Sequence, residues 1–309
     1  MNDWTQRMKV CILLWYENYM ECMDMKDDIK KEIQLLALDV DGTLFTKDGK
    51  ITSASIEAIK RAQEKGVHVV LASGRDYNGL PWKQLEDVPI EYVITTNGSA
   101  VYRTSNRECL YEECLDQEKM ISLFQYLLEK EVYLSMFLDG ENYTPMQCAT
   151  YVENLGLPEY VKKQLREKFI RVDDIISHMK EQPLRIQKAM VDFQMLPDGR
   201  YLNQDEVKTY LENSPDIYVV DGGFQNLEFT KAGVSKASGL AVLAEYLQIP
   251  LEQVMAIGDS ENDVAMLAEA GLGVAMGNAA EHVKAVADDV TKTNEEDGVA
   301  SAIRKYIVS

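Results

Sequence analysis

The spacing of apolar residues changes several times along the chain, and each change predicts a different element. From residue 33, short apolar runs alternate with stretches of helical period. "IQLLALDV" (33–40), "VHVVLAS" (67–73) and "EYVITTN" (91–97) read as buried strands. Between the first two, "TSASIEAIKRAQEKG" places Ile56 and Ile59 at helical spacing, with hydroxyl residues to cap its start and Gly66 to end it. The alternation resumes far downstream. Strand "QVMAIG" (253–258) precedes helix "ENDVAMLAEAG" (261–271), then strand "LGVAM", helix "AAEHVKAVA", strand "DDVTK" and a last helix. Apolar strands alternating with helices predict a parallel sheet covered on both faces.

The middle of the chain follows another pattern. Helix "DQEKMISLFQYLLEK" leads into "VYLSMFLDGENYTPM", which reads as a hairpin turning at Asp139 and Gly140. Strand "LRIQKAMVDFQ", helix "DEVKTYLEN" and a second hairpin, "IYVVDGGFQNLEFT", turning on Gly222 and Gly223, come later. Hairpins imply antiparallel pairing, so a separate α+β unit is inserted into the first. The predicted fold is therefore α/β: a doubly wound, mostly parallel, Rossmann-like core sheet over residues 31–113 and 231–309, with an inserted α+β domain over 114–230. Tyr133, Phe137 and Tyr143 belong to the core of that insert.

Residues 1–30 stand apart. "VCILLWY" (10–16) is too short to span a membrane and lacks a cleavage site, and acidic residues follow it at once. This segment reads as an N-terminal extension, helical or partly disordered, or as sequence upstream of a start at Met25.

Charge and cysteine content narrow the function. A formal net charge of −19 argues against nucleic-acid or anionic-membrane partners, which need a basic footprint. Any anionic substrate must be attracted locally. Five cysteines without a CxxC pair fit a reducing, cytoplasmic location and no structural disulfide or zinc site. His68, His178 and His282 are too scattered for a histidine metal centre. "GLGVAMG" (271–277) follows a helix and misses the dinucleotide fingerprint, so nucleotide binding there is rejected.

The chemistry-bearing residues all fall after predicted strands. Asp39 and Asp41 close the first, two positions apart. Ser73, Gly74 and Arg75 close the second, Asn97 to Ser99 follow the next, and "GDSEND" (258–263) follows "QVMAI". In open parallel sheets, ligands bind beyond the carboxyl ends of the strands, so these groups should share one rim. Asp39, Asp41, Asp259 and Asp263 cannot all stay ionised there without a neutralising charge. A hard divalent cation with oxygen ligands, Mg²⁺, supplies it. Backbone amides at the loop ends, the Ser73 hydroxyl and the Lys236 ammonium suit a phosphate. Arg75 is placed either to touch substrate or to pair with an acid.

The chain resembles the haloacid dehalogenase superfamily of phosphotransferases. "DVDGT" (39–43), "ASGR" (72–75), the lysine of "GVSKASGL" (233–240) and "GDSENDVAML" (258–267) match its four motifs in order. The place of the insert, with "TNGSAVY", "GVAMGNA" and "TNEEDGVA", resembles the Cof-type branch of sugar-phosphate and related phosphatases. That resemblance implies Asp39 as nucleophile and metal ligand, and Asp41 as general acid and base whose backbone carbonyl also meets the metal. It implies Asp259 as a direct metal ligand and Asp263 as a holder of metal-bound water. Ser73, Gly74, Lys236, Asn262 and Gly42 would bind the transferring phosphoryl group, Gly42 also shaping the pocket that Asn97 and Arg75 line. The motifs depart from the commoner pattern at Ser73, where threonine is usual, and at Ala237, where glycine is.

The implied activity is Mg²⁺-dependent hydrolysis of small phosphorylated metabolites, sugar phosphates foremost, through an aspartyl-phosphate, by a monomer or weak homo-oligomer. The rivals are a phosphomutase of the same superfamily and a non-catalytic phosphosugar sensor. The insert would act as a cap that selects the leaving group.

Overall fold

The computed structural model describes residues 32–308 apart from 139, 182, 223 and 224. The expected N-terminal extension and parts of both predicted hairpin turns lie outside the described residues.

Fourteen strands form two sheets among the described residues. The core sheet has eight. Its centre is β1 (Leu35–Leu38), flanked by β2 (His68–Ala72) on one side and β12 (Val254–Gly258) on the other, both parallel to it. On the β12 side lie β13 (Leu272–Ala275) and β14 (Asp289–Val290), and beyond β2 lies β3 (Tyr92–Thr95), all parallel. Two strands that the apolar pattern did not reveal, β4 (Ala100–Arg103) and β5 (Glu108–Glu112), extend this edge antiparallel. The β5 residues are only partly buried, so no continuous apolar run marks them.

Alternation along β1 assigns its side chains to two layers. Leu36 and Leu38 pack with Ala58, Ile59 and Ala62 of helix α1 (Ser53–Glu64). Leu35 and Ala37 face the other layer, where Leu240, Leu243 and Ala244 lie on a helix over Lys236–Leu247. All four strand residues are fully buried, as a strand covered on both faces requires. Truncating Leu36 to alanine would cost about 2–5 kcal/mol. Helix α1 starts where expected: the Thr52 side chain accepts from the Ser55 amide at 3.1 Å, and Gly66 adopts φ +84° just beyond its end.

The second sheet has six strands in the order β10-β11-β9-β6-β7-β8. They are β6 (Tyr133–Leu138), β7 (Glu141–Pro145), β8 (Ile170–Val172), β9 (Lys188–Asp192), β10 (Ile217–Asp221) and β11 (Leu227–Lys231). Both hairpins, β6–β7 and β10–β11, pair antiparallel. Helix α2 (Gln117–Glu129) buries Met120, Leu123, Phe124 and Leu127 at the expected spacing, and Asp116 caps it. Tyr133 is fully buried, Phe137 nearly so, and Tyr143 packs against the apolar cluster of this unit.

Residues 146–181, for which the sequence suggested no elements, form a 3₁₀ segment (Met146–Asn154), helices α3 (Glu159–Glu167) and α4 (Ile175–Glu181), and β8, which pairs parallel to β7. Helix α5 (Gln204–Glu212) sits where expected. In the core, the helix anticipated over 261–271 is a 3₁₀ turn (Glu261–Asp263) followed by a short helix, α7 (Val264–Glu269), after the long α6 (Lys236–Leu247). Similarly, "AAEHVKAVA" yields only α8 (Glu281–Lys284), and α9 (Gly298–Ile303) closes the core.

Candidate active site

Four strand ends meet. Asp39 follows β1 directly, Ser73 follows β2, Thr96 to Gly98 follow β3, and Asp259 follows β12. Lys236 opens α6, whose start is capped by Ser235.

Lys236 ties the cluster together. It is fully buried, and its Nζ donates to Asp39 Oδ1 at 2.6 Å and to Asp263 Oδ1 at 2.7 Å. The other Asp263 oxygen accepts from the amides of Asp259 and Ser260 at 3.0 and 3.1 Å. That leaves Asp263 saturated. Asp39 is different. It is 3% exposed, and its Oδ2 is buried with no partner. An orphaned carboxylate oxygen in so dry a place signals a missing ligand.

Asp259 is reached by the loop after β1. Gly42 has φ +85°, and a Cβ there would lie 2.3 Å from Asp259 Oδ2, so only glycine serves. Thr43 Oγ1 donates to Asp259 Oδ1 at 2.7 Å. Asn278 Nδ2 donates to the Gly42 carbonyl at 2.9 Å and to Asp259 Oδ2 at 3.3 Å. Oxygens of Asp39, Asp259 and Asp263 all lie within 4.8 Å of one another. An all-carboxylate set with one unpartnered oxygen suits a hard divalent cation.

Electrostatics agree. Burial, then the Asp263 carboxylate, pushes Asp39 well above the usual carboxylate range, against the pull of Lys236. Burial also lifts Asp259 to about 6, although the Thr43 hydrogen bond opposes it. Burial works against the Lys236 charge, yet Asp263 and Asp39 more than offset this and raise its pKa. A bound cation would return the carboxylates to their ionised forms. The local positive charge demanded by a chain of net charge −19 is Lys236.

The remaining predicted residues ring this centre. Ser73 is buried, and its Oγ accepts from the Arg75 amide at 3.2 Å. Asn262 Nδ2 donates to Asn97 Oδ1 at 3.0 Å. Thr96, Asn97 and Gly98 all have positive φ, and a Cβ on Gly98 would lie 1.9 Å from the Ser235 carbonyl, which docks this turn against the start of α6. Gly74 lets the turn close, since a Cβ there would lie 2.8 Å from Asn97 Oδ1. Arg75 resolves its two readings: it pairs with Asp41, whose side chain is 56% exposed.

Four participants went unassigned in the sequence. Thr43 and Asn278 stood inside quoted motifs without a role. Lys188 and Glu228 come from the second sheet: Lys188 Nζ donates to the Gly74 carbonyl at 2.7 Å, and Glu228 Oε2 accepts from Asn97 at 2.7 Å. The available signal was charge inside strands, since Glu228 sits between Leu227 and Phe229 and Lys188 leads into Ala189, Met190 and Val191.

Comparison with known proteins is consistent with this geometry. The profile of the haloacid dehalogenase-like hydrolases matches residues 36–303. The 5-amino-6-(5-phospho-D-ribitylamino)uracil phosphatase YcsE of Bacillus subtilis is 31% identical over 283 residues, covering 90% of this chain and 97% of its own. Phosphatase YwpJ of the same organism is 30% identical over 288 residues, covering 89% and 100%. Among solved structures, a haloacid dehalogenase-like hydrolase from B. subtilis superposes with TM-score 0.76 at 28% identity, over 88% of this chain and 99% of that one. A sugar phosphatase of HAD subclass IIB gives TM-score 0.72 at 26% identity, over 88% and 98%. The chain belongs to the haloacid dehalogenase-like hydrolases, as a phosphatase of the Cof-type branch.

Proposed function

We propose that the protein is a Mg²⁺-dependent phosphatase of small, hydroxyl-rich phosphate esters, sugar or polyol phosphates, acting through an aspartyl-phosphate. One observation carries this reading: the buried, unpartnered Oδ2 of Asp39, beside a carboxylate cluster and a buried lysine. The Asp39 carboxylate attacks phosphorus, the ester P–O bond breaks, and Asp41 gives a proton to the departing alcohol oxygen. Water then attacks the aspartyl-phosphate, Asp41 takes its proton, and the Asp39 carboxylate and inorganic phosphate are released.

Asp39, Asp259 and the Asp41 backbone carbonyl would hold the Mg²⁺, with Asp263 behind them. When bound, the ion neutralises the carboxylates and the phosphoryl oxygens. Lys236 holds Asp39 in place, and with Ser73, Gly74 and Asn262 it receives the phosphoryl group. Both Asp41 oxygens accept from Arg75, so one of these bonds gives way when Asp41 donates its proton while the other still orients the carboxyl group. The phosphatase relatives support small phosphorylated substrates, and the ribityl phosphate and sugar named for two of them motivate the hydroxyl-rich class. The cysteine usage supports a cytoplasmic location, and among the described residues no helix is long and apolar enough to cross a membrane.

The test is phosphate release from a panel of esters, with and without chelator. Release that chelator abolishes and Mg²⁺ restores is the expected result. Chelator-resistant release, or full activity of Asp39→Asn, would overturn the proposal.

A further inference from the structure

The loop from Asp39 to Phe45 is fastened by two asparagines from far along the chain. Asn278 lies just past the end of β13 and is exposed. Its Nδ2 donates to the Gly42 carbonyl at 2.9 Å and to Asp259 Oδ2 at 3.3 Å. Its Oδ1 accepts from the Asn294 amide at 3.0 Å. Asn294 is 8% exposed, and its own Nδ2 donates to the Phe45 carbonyl at 2.7 Å. The next residue, Glu295, accepts from the Lys47 amide at 2.6 Å. The loop that carries Asp41 is thus gripped at Gly42, at Phe45 and just beyond.

Asn278 commits both amide hydrogens and its carbonyl oxygen to the protein. An exposed asparagine ordinarily gives these to water. Closing its own turn needs none of them, because its partners lie 236, 19 and 16 residues away.

Asp259 gains a fixed plane from this arrangement. Thr43 Oγ1 donates to its Oδ1 at 2.7 Å and Asn278 to its Oδ2, so each oxygen has one donor. A carboxylate offers about four lone-pair positions, which leaves room for a cation on the same group. Thr43 sits on the Asp39–Phe45 loop and Asn278 bonds to that loop, so both donors set Asp259 against it. Gly42 lies so close that a Cβ there would fall 2.3 Å from Asp259 Oδ2. Asn278 is the donor shared by the two segments.

We infer that Asn278 is a positioning residue that fixes the spacing between the Asp41–Thr43 turn and Asp259, and through it the preference of the site for Mg²⁺ over Ca²⁺. This rests on the cation of the reading above and says how the chain selects it. Mg²⁺ demands near-octahedral oxygens at roughly 2.0–2.1 Å, whereas Ca²⁺ accepts a looser set at roughly 2.3–2.6 Å. Ligands held at a stiff spacing favour the smaller ion. Freed of Asn278, the turn and the carboxylate can separate, which harms Mg²⁺ more than Ca²⁺.

The test is calorimetric titration of the full-length protein with MgCl₂ and, separately, CaCl₂, without substrate. Wild type is compared with Asn278→Ala and with Asn278→Leu, which keeps the bulk and loses the amide. Both variants should bind Mg²⁺ about 10–100-fold more weakly, the scale of losing a partner that orients a metal ligand. Their Ca²⁺ affinity should fall less, so the preference narrows. The Mg²⁺ concentration giving half-maximal phosphate release should rise with the dissociation constant. Melting without divalent ions separates this role from a structural one. Asn294→Ala, which strips the Phe45 carbonyl of its partner, should lower the ion-free Tm more than Asn278→Ala does. An ion-free Tm lowered by Asn278→Ala while Mg²⁺ affinity holds would overturn the assignment, and so would equal losses for the two ions. A wild type that binds no Mg²⁺ refutes the cation reading itself, whereas wild type and variants binding Mg²⁺ equally refute this inference alone.

Discussion

Arg75 grips Asp41 through two hydrogen bonds of 2.7 Å, from Nε and Nη2 to the two carboxylate oxygens. The same guanidinium donates to the Gly79 carbonyl at 2.8 Å and lies 5.3 Å from the centroid of the Phe45 ring. A lysine cannot reproduce this planar fork. Arg75→Lys is therefore expected to lower kcat by about 10-fold or more while KM changes by less than about threefold, from the loss of charge-assisted bonds that orient Asp41. Steady-state phosphate release measures this, and an unchanged kcat would show that the grip is immaterial to turnover.

Asp39→Asn should abolish turnover and preserve the fold. The amide cannot attack phosphorus, yet its carbonyl can still accept from Lys236, and the change removes one of three crowded carboxylates. Phosphate release and a circular-dichroism melt separate the two effects.

Removing the buried cation should act on both stability and activity. Lys236→Met leaves Asp39 and Asp263 without their shared partner, a loss expected to cost about 3–5 kcal/mol. Denaturant unfolding would show it. Added Mg²⁺ should restore part of the deficit, since a divalent ion neutralises the same carboxylates.

At Gly42 the backbone needs φ +85° and has no room for a methyl group beside Asp259. Gly42→Ala should therefore displace Asp259 and abolish the rise in Tm expected of the wild type with Mg²⁺. Melting curves with and without the ion check this, and an intact Mg²⁺ response would place the ion elsewhere.

Asp192 makes a pH prediction. Burial, then Glu228, lifts its pKa to about 7, from 3.8 as the ordinary value, against the pull of Lys188. The folded form thus holds a proton that the unfolded chain has lost, so this group's contribution to stability is full below about pH 4 and is lost as pH rises towards 7. Asp192→Asn should flatten the fall in stability over that window, as read by urea midpoints at successive pH values.

Much of the core was legible because its signals are local. Asp39, Ser73, Asn97 and Asp259 each follow an apolar run that could only be a buried strand, and the rule that ligands gather beyond strand ends brought them together. Strands β4 and β5 escaped because an edge hairpin with a half-exposed outer strand carries no strong period. The segment 146–181 escaped because its helices are short and mostly exposed: α3 buries only Leu165. Lys188 and Glu228 could not be assigned from spacing, since their partners lie 114 and 131 residues away. The preference of Arg75 for Asp41 depended on the conformation of the loop between Asp39 and Phe45, which residue types alone leave open.

The pairing of β1 has a consequence for biosynthesis. One neighbour, β2, is made about 30 residues later, but the other, β12, begins at Val254, after the entire second sheet. During translation β1 therefore waits with one edge unpaired until β12 has been made. Contacts so distant in sequence form slowly, and an uncovered edge invites association with other nascent chains. Refolding from denaturant should accordingly order the insert before β1 and β12 pair, which makes assembly of the catalytic centre a late event in folding.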